Sequence, residues 1–267
     1  MEVGFQKNEV SNQNWDVSKA IQEVQGAIII AKKFPRCQFT AEKNIMNSCK
    51  RLSLAESALY SYPRGGSQIT GPSIRLAEVL AQCWGNLDFG IRELEQRAGE
   101  STVVAYCWDL ETNVRQAKVF IVPHERKARG KIEKLIDPRD IYELIANYGA
   151  RRLRACILGI IPGDIVESAI AECDRTMKMG HKNAPIADRI KIMIQAFEPF
   201  SVNIEMIEKR LAHKIDATSD IELVALRKIL VSLKDGMSKR EDWFQFTEEK
   251  KVDEKIEDLN NKFAPKV

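Results

Sequence analysis

The chain has 267 residues, 44% of them apolar and 30% charged, with a formal net charge of +3. That length can bury a substantial core, and the mixture is that of an ordinary globular protein of one or two domains. The longest apolar run, Gly26–Ala31, is too short to span a bilayer, and nothing near the N-terminus resembles a signal peptide, so the expected location is the cytoplasm.

Cys37, Cys49, Cys83, Cys107, Cys156 and Cys173 form no C-x-x-C pair, and His124, His181 and His213 stand apart. Neither a disulfide scaffold nor a metal site is expected, and the thiols read as buried structural side chains.

In chain order, residues 1–14 are polar and expected to be disordered. A helical pattern runs from Val17 to Lys33, and a second helix follows Thr40, with Ile45, Met46 and Cys49 on one side. Ala58–Asn86 carries the most information. Tyr60 and Tyr62 lead to Gly65-Gly66, and Ser67–Thr70 read back as a second strand, which makes a hairpin. Gly71-Pro72-Ser73 is then expected to start a helix with Ile74, Val79, Leu80 and Cys83 on its apolar side. Gly66, Gly71 and Ser73 nearly spell a phosphate loop, but Pro72 stands where that loop needs lysine and also lacks a backbone donor. No ATP site is expected there.

Leu87–Gln96, Thr102–Leu110 and Val114–Val122 alternate as strands, and short turns between them imply an antiparallel meander. Pro123–Asp137 has five Lys/Arg in fifteen residues and reads as an exposed basic loop. Pro138 opens a helix over Arg139–Ile160, and Gly163-Asp164 begins another that runs to about Met179. Residues 180–185 (GHKNAP) form a linker. Ile186–Phe197, Ile204–His213 and Asp220–Leu233 are helical segments followed by Trp243-Phe244, giving a compact module over 186–246, and 247–267 is a charged flexible tail. The expected class is α+β. A small antiparallel sheet, made of the hairpin and the three-stranded meander, packs with helices over 15–179 and is followed by a small all-helical C-terminal module.

Charge is concentrated in the middle. From Arg115 to Arg154 eleven Lys/Arg meet five Asp/Glu, a balance of +6, whereas from Pro185 onward fifteen basic residues meet sixteen acidic ones. On the helix that begins at Pro138, Ile141, Leu144, Ile145, Tyr148, Ala155 and Cys156 share an apolar face, with Arg151 and Arg154 opposite. Arg152 falls inside that apolar face, so it must pair, snorkel or meet an anion. Basic groups beside aromatic rings suit single-stranded nucleic acid, because cations follow phosphates and rings stack on any base. Tyr60, Tyr62, Trp84 and Trp108 are each open to a core or a stacking role.

Three features together resemble the RecT/Redβ superfamily of phage single-strand annealing proteins over roughly Asn44–Glu172. These are the order of elements, the segment SQITGPSIRLAEVLAQCWGN, and the helix ANYGARRLRACILGII. Ile186–Phe244, with its F-x-V-x-x-x-M-I-E-x-R-L beginning, is similar to the C-terminal module of many phage recombination proteins. The chain departs from RecT itself at most positions, so contacts carry over by position only. The resemblance implies a recombinase without covalent catalysis, cofactor or catalytic metal, which binds and anneals single-stranded DNA as a ring or helical filament in the bacterial host's cytoplasm. By position, Arg64, Arg75, Arg115, Lys118, Arg126, Lys127, Arg129, Arg151, Arg152 and Arg154 would line its groove, with Tyr60, Tyr62 and Trp108 available for stacking. The C-terminal module would recruit a phage exonuclease and the host single-strand binding protein. Two alternatives remain on sequence alone: a metal-dependent nuclease of the D-(D/E)-x-K type built on Asp109, Glu125 and Lys127, and a noncatalytic interaction scaffold.

Overall fold

The computed structural model describes residues 5–128, 131–180 and 185–245. The chain is α+β, with small antiparallel sheets of two, three and two strands among the described residues. Internal contacts divide it into two units, Met1–Leu59 with Gly71–Gly180 and Tyr60–Thr70 with His181–Val267.

Helix α1 (Phe5–Lys33) begins before Val17, so residues 5–14, expected to be disordered, are helical. Helix α2 (Gln38–Cys49) buries Ala41, Ile45 and Cys49, spaced one turn apart. A short α3 (Leu52–Ala58) leads into the hairpin of β1 (Leu59–Arg64) and β2 (Ser67–Pro72). Its turn places Gly65 and Gly66 at φ of +57° and +82°, the two positive angles that a twist-matched two-residue turn demands. Pro72 ends β2 and does not open a helix. Instead α4 (Ile74–Trp84) begins after Ser73, whose hydroxyl accepts from the Leu76 N–H at 3.3 Å and donates to the Ser57 carbonyl at 2.7 Å.

Strands β3 (Leu87–Arg97), β4 (Glu100–Asp109) and β5 (Arg115–Pro123) form the expected meander, with β4 in the middle. Period two puts Ser101, Val103, Ala105, Cys107 and Asp109 on one buried face of β4, and Thr102, Val104, Tyr106 and Trp108 on the other. The expected basic loop is in fact a hairpin of β6 (Glu125–Ala128) and β7 (Lys131–Lys134). Its register sets Glu125 opposite Lys134 and Arg126 opposite Glu133. Such opposite-charge pairs favour strand pairing in a segment whose charge density reads as loop.

Helix α5 (Pro138–Leu158) covers the inner face of the sheet, capped by Asp137, whose carboxylate accepts from the Arg139 N–H at 2.8 Å. Ile141 and Ile145 join Val103 and Val122 in one core cluster, with Ile91 and Phe120 packed against it. Gly149 lets α5 approach β3, because a Cβ there would stand 2.6 Å from Ile91 Cδ1. Helix α6 (Gly163–Gly180) packs on α2 and α3, and α4 packs on α2, α3 and α5.

The second unit contains the three expected helices, α7 (Ile186–Phe197), α8 (Ile204–Leu211) and α9 (Asp220–Lys234). Phe197, Ile207, Leu226, Leu230, Trp243 and Phe244 form its core, and Tyr62 packs against them. Among the described residues no helix is long and apolar enough to cross a membrane.

Candidate nucleic-acid interface

On the outer face of the meander Tyr106 has the two smallest neighbours in its row, Gly90 on β3 and Ala117 on β5. The room they leave is occupied by two guanidinium groups. Arg92 Cζ lies 5.1 Å from the Tyr106 ring centroid, and Arg115 Cζ lies 5.5 Å from the same centroid and 5.6 Å from that of Trp108. Each such contact stabilises by roughly 0.5–1 kcal/mol at an exposed site. The ring is buried while both arginines stay exposed, so this face presents cations. The Tyr106 hydroxyl donates to Asp88 Oδ1 at 3.2 Å. Burial, then the Asp88 charge, raise its pKa. Trp108 Nε1 donates to Asn113 at 2.9 Å and leaves its ring half-buried. Val119 and Ile121 extend the same face and are 65% and 56% exposed.

Arg115 and Trp108 are thus together, as the sequence suggests, and Arg92 is the member that sequence reasoning missed. It stands in the charge-rich run Arg92-Glu93-Leu94-Glu95, and only the strand register brings it beside Tyr106.

A second pair of cations lies where α5 meets β5. Lys118 and Phe120 are on the face of β5 that points toward α5. Arg152 Cζ sits 4.0 Å from the Phe120 ring centroid and 5.5 Å from that of Tyr148, and its Nη1 donates to the Tyr148 carbonyl at 2.9 Å. This corrects the position expected within an apolar stripe. The buried side of α5 is Ile141, Ile145, Gly149, Leu153, Cys156 and Ile157, whereas Tyr148 and Ala155 are exposed. Arg152 is therefore at the stripe's margin, where ring faces and a carbonyl satisfy its charge. Exposed Lys118 is close enough to offset part of the burial that raises the Cys156 thiol pKa. Arg151 and Arg154, about 100° back and 200° forward of Arg152 around the helix, are half-buried.

The remaining expected residues are distributed. Arg75 is exposed on α4, where its charge offsets part of the burial that raises the Glu78 pKa. Arg126 is exposed and 4.0 Å from Glu133. Lys127 stands opposite Ile132 on β6, with its side chain outside the described residues, as is the whole of Arg129. Arg64, Tyr60 and Tyr62 belong to the second unit. Arg64 is exposed, but Tyr60 is buried and stacks on Tyr62 with centroids 5.9 Å apart, so those rings meet protein.

Asp109 is occupied. Its carboxylate accepts from Arg36 Nη2 and from the Glu111 N–H at 3.0 Å, and Arg36 Nε donates to Glu111 at 2.8 Å. Arg36 also lies 5.1 Å over Trp84. Burial would raise the Glu111 pKa, but hydrogen bonds from Arg36 and Asn86 hold it below the usual carboxylate range. Among the described residues no cluster of three His, Cys, Asp or Glu could hold a metal ion. The chain matches no known family, no curated protein and no solved structure.

Proposed function

We propose that this chain binds single-stranded DNA and anneals complementary strands without ATP, as a homo-oligomer of the RecT/Redβ kind serving phage-type recombination in the host cytoplasm. The observation that supports this most is the pair Arg92 and Arg115, held across Tyr106 beside Trp108. Ring contacts fix both guanidinium groups on an open sheet face, where they meet a polyanion at little further cost in side-chain entropy. Exposed Val119 and Ile121 give the same face an apolar strip for bases. Lys118 and Arg152 add a second cationic edge. Asp109 is bonded to Arg36, which favours strand binding over metal-dependent cleavage. The C-terminal helices then serve as the docking module for a phage exonuclease or the host single-strand binding protein. Affinity for a labelled oligonucleotide tests the reading. It should fall steeply with salt, with a log–log slope of about −0.7 per phosphate contacted, and a flat response would overturn it.

A further inference from the structure

Two apolar surfaces on the first unit are open, and they carry opposite charge. The first is a knob at the end of α1. Ile29, Ile30 and Phe34 are 65%, 60% and 65% exposed, and the Lys33 ammonium lies 5.8 Å from the Phe34 ring centroid. The second is a groove of about 310 Å³ between β3 and the start of α5, lined by Ile91, Glu93, Ile141, Tyr142 and Ile145 among others. Tyr142 is 68% exposed at its rim, and the outer edge of β3 pairs with no described strand. Neither Lys33 nor Glu93 has an ion-pair partner among the described residues.

The knob cannot fill the groove of its own chain. Phe34 is tied to the start of β3, where Asn86 donates to its carbonyl at 3.0 Å. The groove begins at Ile91 and extends past Glu93 to Gln96. At about 3.3 Å per residue along a strand, it lies roughly 15–35 Å away.

We propose that the groove receives the α1 knob of a second copy of this chain. Phe34 and Ile30 enter between Ile91 and Tyr142, while Lys33 faces Glu93. The two surfaces differ, so the contact is head-to-tail, and repetition gives a ring if the rotation closes or a filament if it does not. The inference rests on the homo-oligomeric part of the proposed function, but it is tested without DNA, so its failure leaves strand binding untouched.

The experiment is mass photometry of the full chain and two blocked variants, Phe34→Arg (knob) and Tyr142→Arg (groove), with circular dichroism to verify folding. Both changed side chains are exposed, so folding should persist. Wild type should form multimers, and each variant alone should self-associate at least tenfold more weakly. An equimolar mixture of the variants should form a heterodimer and nothing larger, since one intact knob meets one intact groove. Lys33→Glu should likewise disperse the multimers, and combining it with Glu93→Lys should restore them. A monomeric wild type, variants that assemble as wild type does, or a mixture that yields no heterodimer would overturn the proposal.

Discussion

The guanidinium carbon of Arg152 lies 4.0 Å from the centre of the Phe120 ring, and the same group donates to the Tyr148 carbonyl. A charge that the helical pattern places inside the core is thereby held at its edge, shielded by two rings and turned toward solvent beside Lys118.

Replacing Arg152 with alanine should cost about 1.5–3.5 kcal/mol in urea unfolding, the sum of two cation–π contacts and one hydrogen bond. Lysine keeps the charge but not the planar stack, so Arg152→Lys should recover salt-dependent strand binding more fully than stability.

At Gly149 α5 approaches Ile91 of β3 too closely for a side chain. Gly149→Ala brings a Cβ within 2.6 Å of Ile91 Cδ1 and 2.9 Å of Cγ2, and a loss of about 1–3 kcal/mol is expected from overpacking. Ile91→Val removes Cδ1, so the double variant should be less destabilised than the two single losses combined. A strictly additive cycle would show that the two residues are not in contact.

Asp109→Asn should act on stability and not on chemistry. The carboxylate shares Arg36 with Glu111, and the guanidinium is nearly buried against Trp84. Arg36→Met strands two carboxylates and should cost about 3–5 kcal/mol. Thermal unfolding of both variants, read beside magnesium-dependent degradation of labelled DNA, separates the two roles. DNA cleavage by wild type that Asp109→Asn abolishes would contradict the structural assignment.

The C-terminal unit should respond to pH. His213 Nε2 bonds Glu222 at 2.8 Å and Nδ1 bonds the Lys214 carbonyl at 2.9 Å, so both ring nitrogens face acceptors. The Glu222 contact, then the Lys214 carbonyl, raise the His213 pKa above 6.5. Glu222 is held at about 2, first by His213 and then by Ser219, whose backbone and hydroxyl it caps at the start of α9. The histidine's contribution is complete below 6.5 and fades as pH rises through its raised value. The glutamate's is complete above 4.5 and fades as pH falls toward 2. Stability from this pair is therefore greatest between those ordinary values. The thermal midpoint should fall as pH rises above 6.5 and through the raised His213 value, and His213→Gln should flatten that alkaline decline.

Much of this architecture is legible in the sequence. The meander alternates cleanly, and α7, α8 and α9 carry periodic apolar residues between Pro, Asn and Ser boundaries. The exceptions have physical causes. Gly149 has no side chain to mark it as core, so the apolar face of α5 is drawn too far toward Tyr148 and Ala155, and Arg152 falls inside it. The strands of β6 and β7 set opposite charges across from one another, and that charge density reads as loop composition. Arg92 is visible only once register sets Gly90 opposite Tyr106. The separation of Arg152 from Arg151 and Arg154 around α5 is legible in the helical period; that Arg152 meets Phe120 is not.

Arg92 and Arg115 are proposed as the heart of a strand-annealing surface. Annealing of complementary labelled oligonucleotides, followed by fluorescence transfer without ATP, tests it most directly. Wild type should accelerate annealing, and Arg92→Ala with Arg115→Ala should remove the acceleration while the chain remains folded. No acceleration by wild type, or full acceleration by the folded double variant, would contradict it.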